Sequence, residues 1–217
     1  SCMKPLINTF HWHLTENQAW RLESKIYPRI NSPEVTTRYP GCFYTQDQVR
    51  DILDFCKRHH VLVIPEIDMP GHSAAFTRTF GCDMQSPKGK AILRELVSEA
   101  CDLFAEVPYF HIGTDEVHFT DPDFVPEMVA LVRSKGKKAI SWNPGCEYSP
   151  GEIDMAQLWS YRGKAQPGVL TALIRIVEPA VVEGHHVPEQ VKVIGIAEPA
   201  VYRRDSRLSL ATVAPKL

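Results

Sequence analysis

Two adjacent carboxylates, Asp115 and Glu116, stand in the run HIGTDEV, directly after an apolar segment. Neighbouring side chains in extended backbone point in different directions, so the two carboxylates can serve different parts of one ligand. Carboxyl groups that share a tight site also separate their pKa values, which leaves one protonated near neutral pH. The pair therefore predicts general acid catalysis with one member as charge partner. The alternative is a solvated pair in a surface loop.

A histidine and a further carboxylate follow the earlier apolar run in VIPEIDMPGH. Asp68 and His72 are four residues apart, and Pro65, Pro70 and Gly71 predict a rigid turn between the strand and the histidine. A histidine held against a carboxylate can orient an acid or relay its proton. Taken alone, His72 is equally explained as a structural histidine.

Two tryptophans, Trp142 and Trp159, end successive apolar runs. Flat aromatic rings at the mouth of a site suit the apolar faces of a sugar, although core packing explains either ring in isolation. Together with the carboxylates they indicate a carbohydrate site.

Strands and helices that alternate along the chain would position these residues. Apolar and β-branched runs predict strands at 6–14, 61–68, 109–113, 138–142 and 155–159, with Pro65 marking irregular backbone at the end of the second. Capping signals at Thr45, Ser86-Pro87 and Asp121-Pro122 predict three helices, over about 46–59, from 86 to near 105, and from 121 to Gly136. Such alternation implies parallel strands with right-handed crossovers.

The polar residues lie at the carboxyl ends of the strands, and no glycine-rich phosphate loop follows a strand, which favours a barrel over a doubly wound sheet. Each βα unit takes about 37 residues, so eight units need roughly 300. The 217 residues therefore predict an α/β fold, a (β/α)8 TIM-type barrel that is incomplete. Further strands are predicted at 169–177 and 191–197.

The composition excludes several classes of protein. Lys plus Arg is 24 and Asp plus Glu is 26, a formal charge of −2, which gives little support for binding nucleic acid or a membrane surface. The apolar stretches are too short for a membrane span, and the first residues lack a targeting pattern. Six cysteines without a CxxC motif favour free thiols over a zinc site, with one or two disulfides left open. We expect no cofactor and no metal.

Three blocks, HWHLTENQAWR, VIPEIDMPGHS and HIGTDEV, resemble the signature of family 20 glycoside hydrolases, the β-N-acetylhexosaminidases, over about residues 4–168. The resemblance implies removal of terminal β-linked N-acetylglucosamine or N-acetylgalactosamine from an oligosaccharide or glycoconjugate. It implies a retaining, substrate-assisted mechanism, in which the acetamido oxygen of the sugar attacks C1 and gives an oxazolinium intermediate. It also suggests a periplasmic or secreted location, and it leaves the oligomeric state open.

The resemblance implies roles for individual residues. Glu116 matches the general acid/base, and Asp115 matches the group that orients the acetamido group and stabilises its positive charge. Supporting positions fall on His72, Asp68 and Glu16, and substrate-binding positions on Trp142, Trp159 and His13. Glu16 stands where the family commonly has aspartate and partners the histidine. The arginine of the family's first barrel strand and the Tyr-x-Asp and Trp-x-Glu pairs of its last two strands have no match in this sequence. The resemblance therefore implies that the first strand is missing and that the last strands are divergent. On this basis we expect 1–168 to be the catalytic barrel core and 169–217 a divergent C-terminal part of the same domain.

Three other functions remain open. The chain could be a catalytically incompetent barrel fragment that at most binds sugar, because groups that grip the sugar ring are missing. His11 and His13 share a strand face and, with Asp115 or His111, could hold the metal of an amidohydrolase. A carbohydrate-binding module without catalysis is the third alternative.

Overall fold

The structure, a computed structural model, describes residues 8–160, 164, 166–176 and 194–196. Its elements in chain order are β1 (Thr9–His13), β2 (Thr15–Glu16), β3 (Ala19–Trp20), α1 (Gln46–Arg58), β4 (Leu62–Glu66), α2 (Ala74–Phe80), α3 (Pro87–Leu103), β5 (Tyr109–His111), α4 (Phe124–Ser134), β6 (Lys138–Asn143), β7 (Met155–Leu158), β8 (Thr171–Ile176) and β9 (Ile194–Ile196). Short 3-10 turns lie at Pro28–Asn31 and Pro33–Val35.

Seven strands form one curled sheet in the order β1-β4-β5-β6-β7-β8-β9. The first six strands of that order pair in parallel, and helices connect several of them, so the predicted parallel sheet with crossover helices is found. β9 runs antiparallel to β8, which differs from the all-parallel pairing of a complete (β/α)8 barrel. β2 and β3 form a separate short hairpin.

Local sequence explains where the helices begin. The Thr45 hydroxyl accepts the Gln48 N–H at 3.1 Å while the Gln48 side chain accepts the Thr45 N–H at 2.9 Å, so the predicted capping box starts α1. Ser86 caps α3 in the same way, through a 3.0 Å bond from the Gly89 N–H. No helix among those that the structure describes is long and apolar enough to cross a membrane.

Two features differ from the sequence prediction. The sequence gives no prediction for α2, a helix of seven residues that begins without a side-chain cap and ends at Gly81 with φ of 66°. Pro65 lies inside β4 and pairs with Trp12, rather than ending the strand. The N–H groups alternate between the two neighbouring strands: Leu62 donates to Asn8 on the β1 side, and Ile67 donates to His111 on the β5 side. By this alternation the missing N–H of Pro65 falls on the β5 side, near the start of β5.

The sheet separates an apolar outer face from a polar inner face. Trp12 on β1 packs against Tyr44 and Phe104, with ring centroids 4.9 Å and 6.1 Å away. His11 and His13 alternate with Trp12 and therefore point to the opposite, inner face. The thiols that the structure describes, Cys42, Cys56, Cys82, Cys101 and Cys146, are free.

Candidate active site

The carboxyl ends of β1, β4, β5, β6 and β7 meet along one edge of the sheet, which is where parallel strands place their functional groups. His13 ends β1 and Glu66 ends β4, and the two residues are register partners. The loop after β5 carries Asp115 and Glu116, and Trp142 lies near the end of β6. This edge therefore gathers the residues that the sequence predicted for catalysis.

Glu116 begins a continuous series of acid and histidine contacts. Its Oε2 lies 3.5 Å from His72 Nε2, and His72 Nδ1 lies 2.9 Å from Glu16 Oε1. The Glu116 side chain is 60% exposed, whereas those of His72 and Glu16 are each 22% exposed. The longer glutamate at position 16 therefore does reach the histidine. The hydrogen bond with Glu16 raises the pKa of His72 to about 9, against the opposing effect of partial burial.

Asp115 lies close to Asp68 and His72. One oxygen of Asp68, one of Asp115 and a nitrogen of His72 lie within 4.8 Å of one another. Asp68 is buried, and its Oδ1 accepts the Thr114 N–H at 3.2 Å. Burial and the nearby charges of Glu66 and Asp115 raise the pKa of Asp68 to about 8. Burial and the Glu66 charge also raise the pKa of Asp115.

The loops that follow β4 and β5 both contain residues with unusual backbone angles. His72, Thr114 and Glu116 have positive φ angles of 47°, 87° and 50°. Residues other than glycine adopt this region at a cost of order 1–3 kcal/mol and do so mainly at functional sites. Gly113, with φ of 68°, lets the β5 loop approach Asp68 closely, because a Cβ there would lie 1.8 Å from Asp68 Oδ1.

Glu66 is the residue of this edge to which the sequence assigned no role. Its carboxylate is fully buried, yet it accepts the Trp142 indole N–H at 2.7 Å on Oε1 and lies 2.9 Å from His13 Nδ1 on Oε2. His11 Nε2 lies 2.7 Å from the same Oε2, and neither imidazole is in line for a hydrogen bond with that oxygen, so both are close electrostatic contacts. Burial raises the Glu66 pKa, but the neighbouring imidazoles, His13 first among them, outweigh it and hold that pKa well below its usual range.

His13 links this buried carboxylate to the exposed end of the site, because its Nε2 lies 3.6 Å from Glu16 Oε2. Burial opposes its protonation, but the Glu66 charge and the contacts with both glutamates raise the pKa of His13 to about 10. Partial burial of Glu16 disfavours its charged form, but the contact with His13 and the hydrogen bond with His72 outweigh this effect and lower the pKa of Glu16. The pairing of His11-x-His13 with a carboxylate on the next strand is the signal that could have identified Glu66 from sequence.

The two predicted tryptophans occupy different surroundings. Trp142 is 5% exposed and stacks on His11 with ring centroids 5.0 Å apart. Trp159 is 37% exposed, and its indole N–H donates to the Pro144 carbonyl at 2.7 Å. A cleft of about 750 Å³ is lined by Glu116, Val117, His118, Pro144, Gly145, Trp159 and Ser160. The exposed ring and the Glu116 carboxylate therefore border one open cleft, and Trp142 lies deeper.

Among the residues that the structure describes, three groups of side chains have metal-ligand spacing: His11, Glu66 and His111; His13, Glu66 and Asp68; and Asp68, His72 and Asp115. Several of their donor atoms already have partners within the protein. His13 Nδ1 lies 2.9 Å from Glu66, His72 Nδ1 lies 2.9 Å from Glu16, and His111 Nδ1 accepts the Gly113 N–H at 3.0 Å. His11 does not join His13 around one open position but pairs with Gln157 at 3.0 Å and with Glu66. We therefore assign no amidohydrolase centre to these histidines.

Comparisons with known proteins agree with the geometry. Residues 2–86 match the model of "Glycosyl hydrolase family 20, catalytic domain". A beta-hexosaminidase of Porphyromonas gingivalis is 32% identical in an alignment of 208 positions, gaps included, and the alignment covers 73% of this chain and 26% of the relative. A beta-hexosaminidase of Vibrio furnissii is 32% identical in an alignment of 169 positions, gaps included, and the alignment covers 59% of this chain and 27% of the relative.

Solved structures give the same result. The β-N-acetylhexosaminidase of Bacteroides fragilis superposes with a TM-score of 0.61 at 29% identity, over 71% of this chain and 39% of that one. The chitobiase of Flavobacterium johnsoniae superposes with a TM-score of 0.65 at 26% identity, over 76% of this chain and 33% of that one. The chain spans about a quarter of the length of the two curated relatives. The resemblance to the catalytic domain of family 20 glycoside hydrolases is thus confirmed over part of the chain.

Proposed function

We propose that this chain carries the catalytic residues of a β-N-acetylhexosaminidase, which removes terminal β-linked N-acetylhexosamine through a retaining, substrate-assisted reaction. The observation that supports this most directly is the contact series from Glu116 through His72 to Glu16, at the edge of a cleft that Trp159 also lines. An exposed carboxyl group that is supported by a partly buried ion pair and lies beside an aromatic ring is suited to protonating a glycosidic oxygen.

In the proposed reaction Glu116 gives its proton to the leaving oxygen while the sugar's acetamido oxygen attacks C1. The C1–O bond to the aglycone breaks, and its electron pair stays with the leaving oxygen. Glu116 then takes a proton from a water molecule, whose oxygen attacks C1 and reopens the oxazolinium ring. His72 remains protonated near neutral pH, so its charge stabilises the Glu116 carboxylate that exists between the two steps.

Asp115 is proposed to orient the acetamido group and stabilise the positive charge of the oxazolinium. Burial and the Glu66 charge disfavour the ionised form of Asp115. A positive charge beside Asp115 offsets both effects, so the carboxylate interacts more strongly with the intermediate than with the neutral substrate. Trp142 and Trp159 are proposed as walls of the sugar site, and His13 and Asp68 as its support.

We also propose that 1–168 form the catalytic core and that 169–217 continue the same domain. β8 supports this because it extends the sheet by pairing in parallel with β7.

The proposal is tested by measuring hydrolysis of a chromogenic N-acetyl-β-glucosaminide and a chromogenic N-acetyl-β-galactosaminide. The chain is produced in a host that has no β-N-acetylhexosaminidase of its own. Glu116→Gln should lower kcat at least about 100-fold, because the proton donor is lost while the shape is kept. Glu106→Gln is the matched control, since Glu106 pairs with Lys57 on the surface and should leave the rate unchanged. Equal rates for Glu116→Gln and the unmodified chain would contradict the assignment.

The second candidate is a barrel piece that binds the sugar without turning it over. The chain covers 26% of its relative from Porphyromonas gingivalis, and β1 pairs only with β4 among the described strands. Groups on other strands could be needed to convert binding into transition-state stabilisation. Saturable binding of N-acetylglucosamine without release of the chromogen would favour this candidate.

A further inference from the structure

We propose that Glu66 is the positioning residue of the candidate site, orienting Trp142 through Oε1 and His13 through Oε2. The inference rests on the proposed function, since it assigns these two side chains to the sugar pocket and its support. It goes further because one fully buried carboxylate on the inner face of the sheet is inferred to set the orientation of both Trp142 and His13.

The contact with Trp142 fixes the plane of the indole. The Nε1–H donates to Glu66 Oε1 at 2.7 Å, and the indole packs against two imidazoles that also contact each other, with centroid distances of 5.0 Å to His11 and 4.5 Å to His111. A hydrogen bond to a charged acceptor is roughly twice as strong as one between neutral groups. The indole therefore has one strongly preferred orientation.

The contact with His13 extends the arrangement towards Glu116. Glu66 Oε2 lies 2.9 Å from His13 Nδ1, His13 Nε2 lies 3.6 Å from Glu16 Oε2, and Glu16 Oε1 lies 2.9 Å from His72 Nδ1. Negative and positive groups alternate along this path, so His13 and Glu16 each have an opposite charge on either side. A buried carboxylate is stable only with such partners, which is why removing it should alter the whole path.

His11 and His111 complete the surroundings of the carboxylate without replacing His13. The Gly113 N–H donates to His111 Nδ1 at 3.0 Å, so this nitrogen carries a lone pair and faces Glu66 Oε1 from 3.5 Å as an acceptor. Burial lowers the pKa of His111 well below its usual range, and the imidazole is neutral. His13, whose pKa is raised to about 10, is the protonated partner of Glu66, with Nδ1 2.9 Å from Oε2.

Nuclear magnetic resonance of the ligand-free full chain tests the proposal without requiring turnover. The chain is labelled at histidine, and the His13 resonance is assigned by its loss in His13→Gln. The pKa of His13 should lie far above 6.5 in the unmodified chain. In Glu66→Gln this pKa should be about 1 to 3 pH units lower, because the opposite charge is lost. The Trp142 indole N–H, assigned with Trp142→Phe, should exchange with solvent several-fold faster in the same variant. Glu106→Gln, the same change on the surface, should leave both signals in place.

Two results would overturn the proposal. One is a folded Glu66→Gln variant in which the His13 titration and the indole exchange match those of the unmodified chain. The other is a His13 pKa near 6.5 in the unmodified chain. This second result needs no variant of Glu66, so it decides the question even if Glu66→Gln does not fold.

If the chain turns over the N-acetylglucosaminide, Glu66→Gln should also lower kcat/KM at least about tenfold, because Trp142 and His13 are no longer held in position. An inactive chain would count against the proposed function, while the resonance results would still decide the role of Glu66.

Discussion

Glu16 shows how one methylene group changes what a side chain can connect. Its Oε1 lies 2.9 Å from His72 and its Oε2 lies 3.6 Å from His13, so one carboxylate serves two imidazoles. An aspartate on the same backbone is shorter by one carbon–carbon bond, about 1.5 Å. The glutamate therefore joins the buried and the exposed parts of the site.

Gly113 is the residue at which the loop after β5 depends most on the absence of a side chain. A Cβ there would lie 1.8 Å from Asp68 Oδ1 and 2.7 Å from Asp68 Cα, and the φ of 68° is itself unfavourable for alanine. We expect Gly113→Ala to reduce the free energy of unfolding by more than about 3 kcal/mol, measured by urea denaturation.

Gly136→Ala is the matched control for this prediction. Gly136 has a similar φ of 74°, but a Cβ there would meet nothing within 4 Å. This substitution should cost only about 1 kcal/mol, the cost of the backbone angle. Equal losses for the two variants would show that the close approach to Asp68 does not matter.

At the scale of elements, Lys137 joins the end of α3 to the start of β6. Its buried ammonium group donates to the Phe104 carbonyl at 2.6 Å and to the Val107 carbonyl at 2.8 Å. Phe104 is the C-cap of α3, so the cation also lies at the negative end of the helix dipole. The packing of α3 against the sheet therefore relies on a buried charged group.

Lys137→Met keeps the apolar stem but leaves these carbonyls without their donor. The free energy of unfolding should fall by about 1–3 kcal/mol, as measured by urea denaturation. Lys135→Met provides the comparison, because Lys135 pairs with Asp102 near the surface at 3.0 Å and such pairs contribute about 0–1 kcal/mol. A Lys137→Met variant as stable as Lys135→Met would contradict the role given to the buried amine.

The sequence predicts the elements whose signals are local. The Thr45 and Ser86 caps and the apolar runs of β1, β4, β5, β6 and β7 identify helix starts and buried strands directly. The residue type of Pro65 does not show whether proline ends β4 or lies within it. Only the pairing of β4 with β1 and β5 determines at which position of the strand a backbone N–H is not needed. α2 was missed because seven residues without a cap carry little periodic signal.

The same limit applies to the site. The sequence identifies Asp115, Glu116, Asp68 and His72, because they follow strands in short polar runs, and the sheet brings them together. It gives Glu66 no role, because the contacts of that residue come from three other strands. The pairing of His13 with Glu66 follows from strand register, which is set by long-range packing.

At the scale of the molecule, the net charge is only −2, but many of the titratable groups lie together at one edge of the sheet. The pKa of His72 is raised to about 9 and that of His13 to about 10, from 6.5 in the unfolded chain, and that of buried Asp68 is raised to about 8 from 3.8. All three groups hold their protons more tightly in the folded state. Their contribution to stability is thus fully present below the unfolded pKa and is lost as pH rises through the folded pKa.

We therefore expect the free energy of unfolding to fall as pH rises from 6.5 to 9, by about 1.4 kcal/mol per pH unit for each extra proton that the folded state retains. Urea denaturation at half-unit intervals measures this slope. His72→Gln should make it shallower, because one retained proton is lost, whereas His59→Gln, at the exposed end of α1, should not change it. A stability that is constant or rises over this range would mean that the acid and histidine groups of the site are not coupled as their distances indicate.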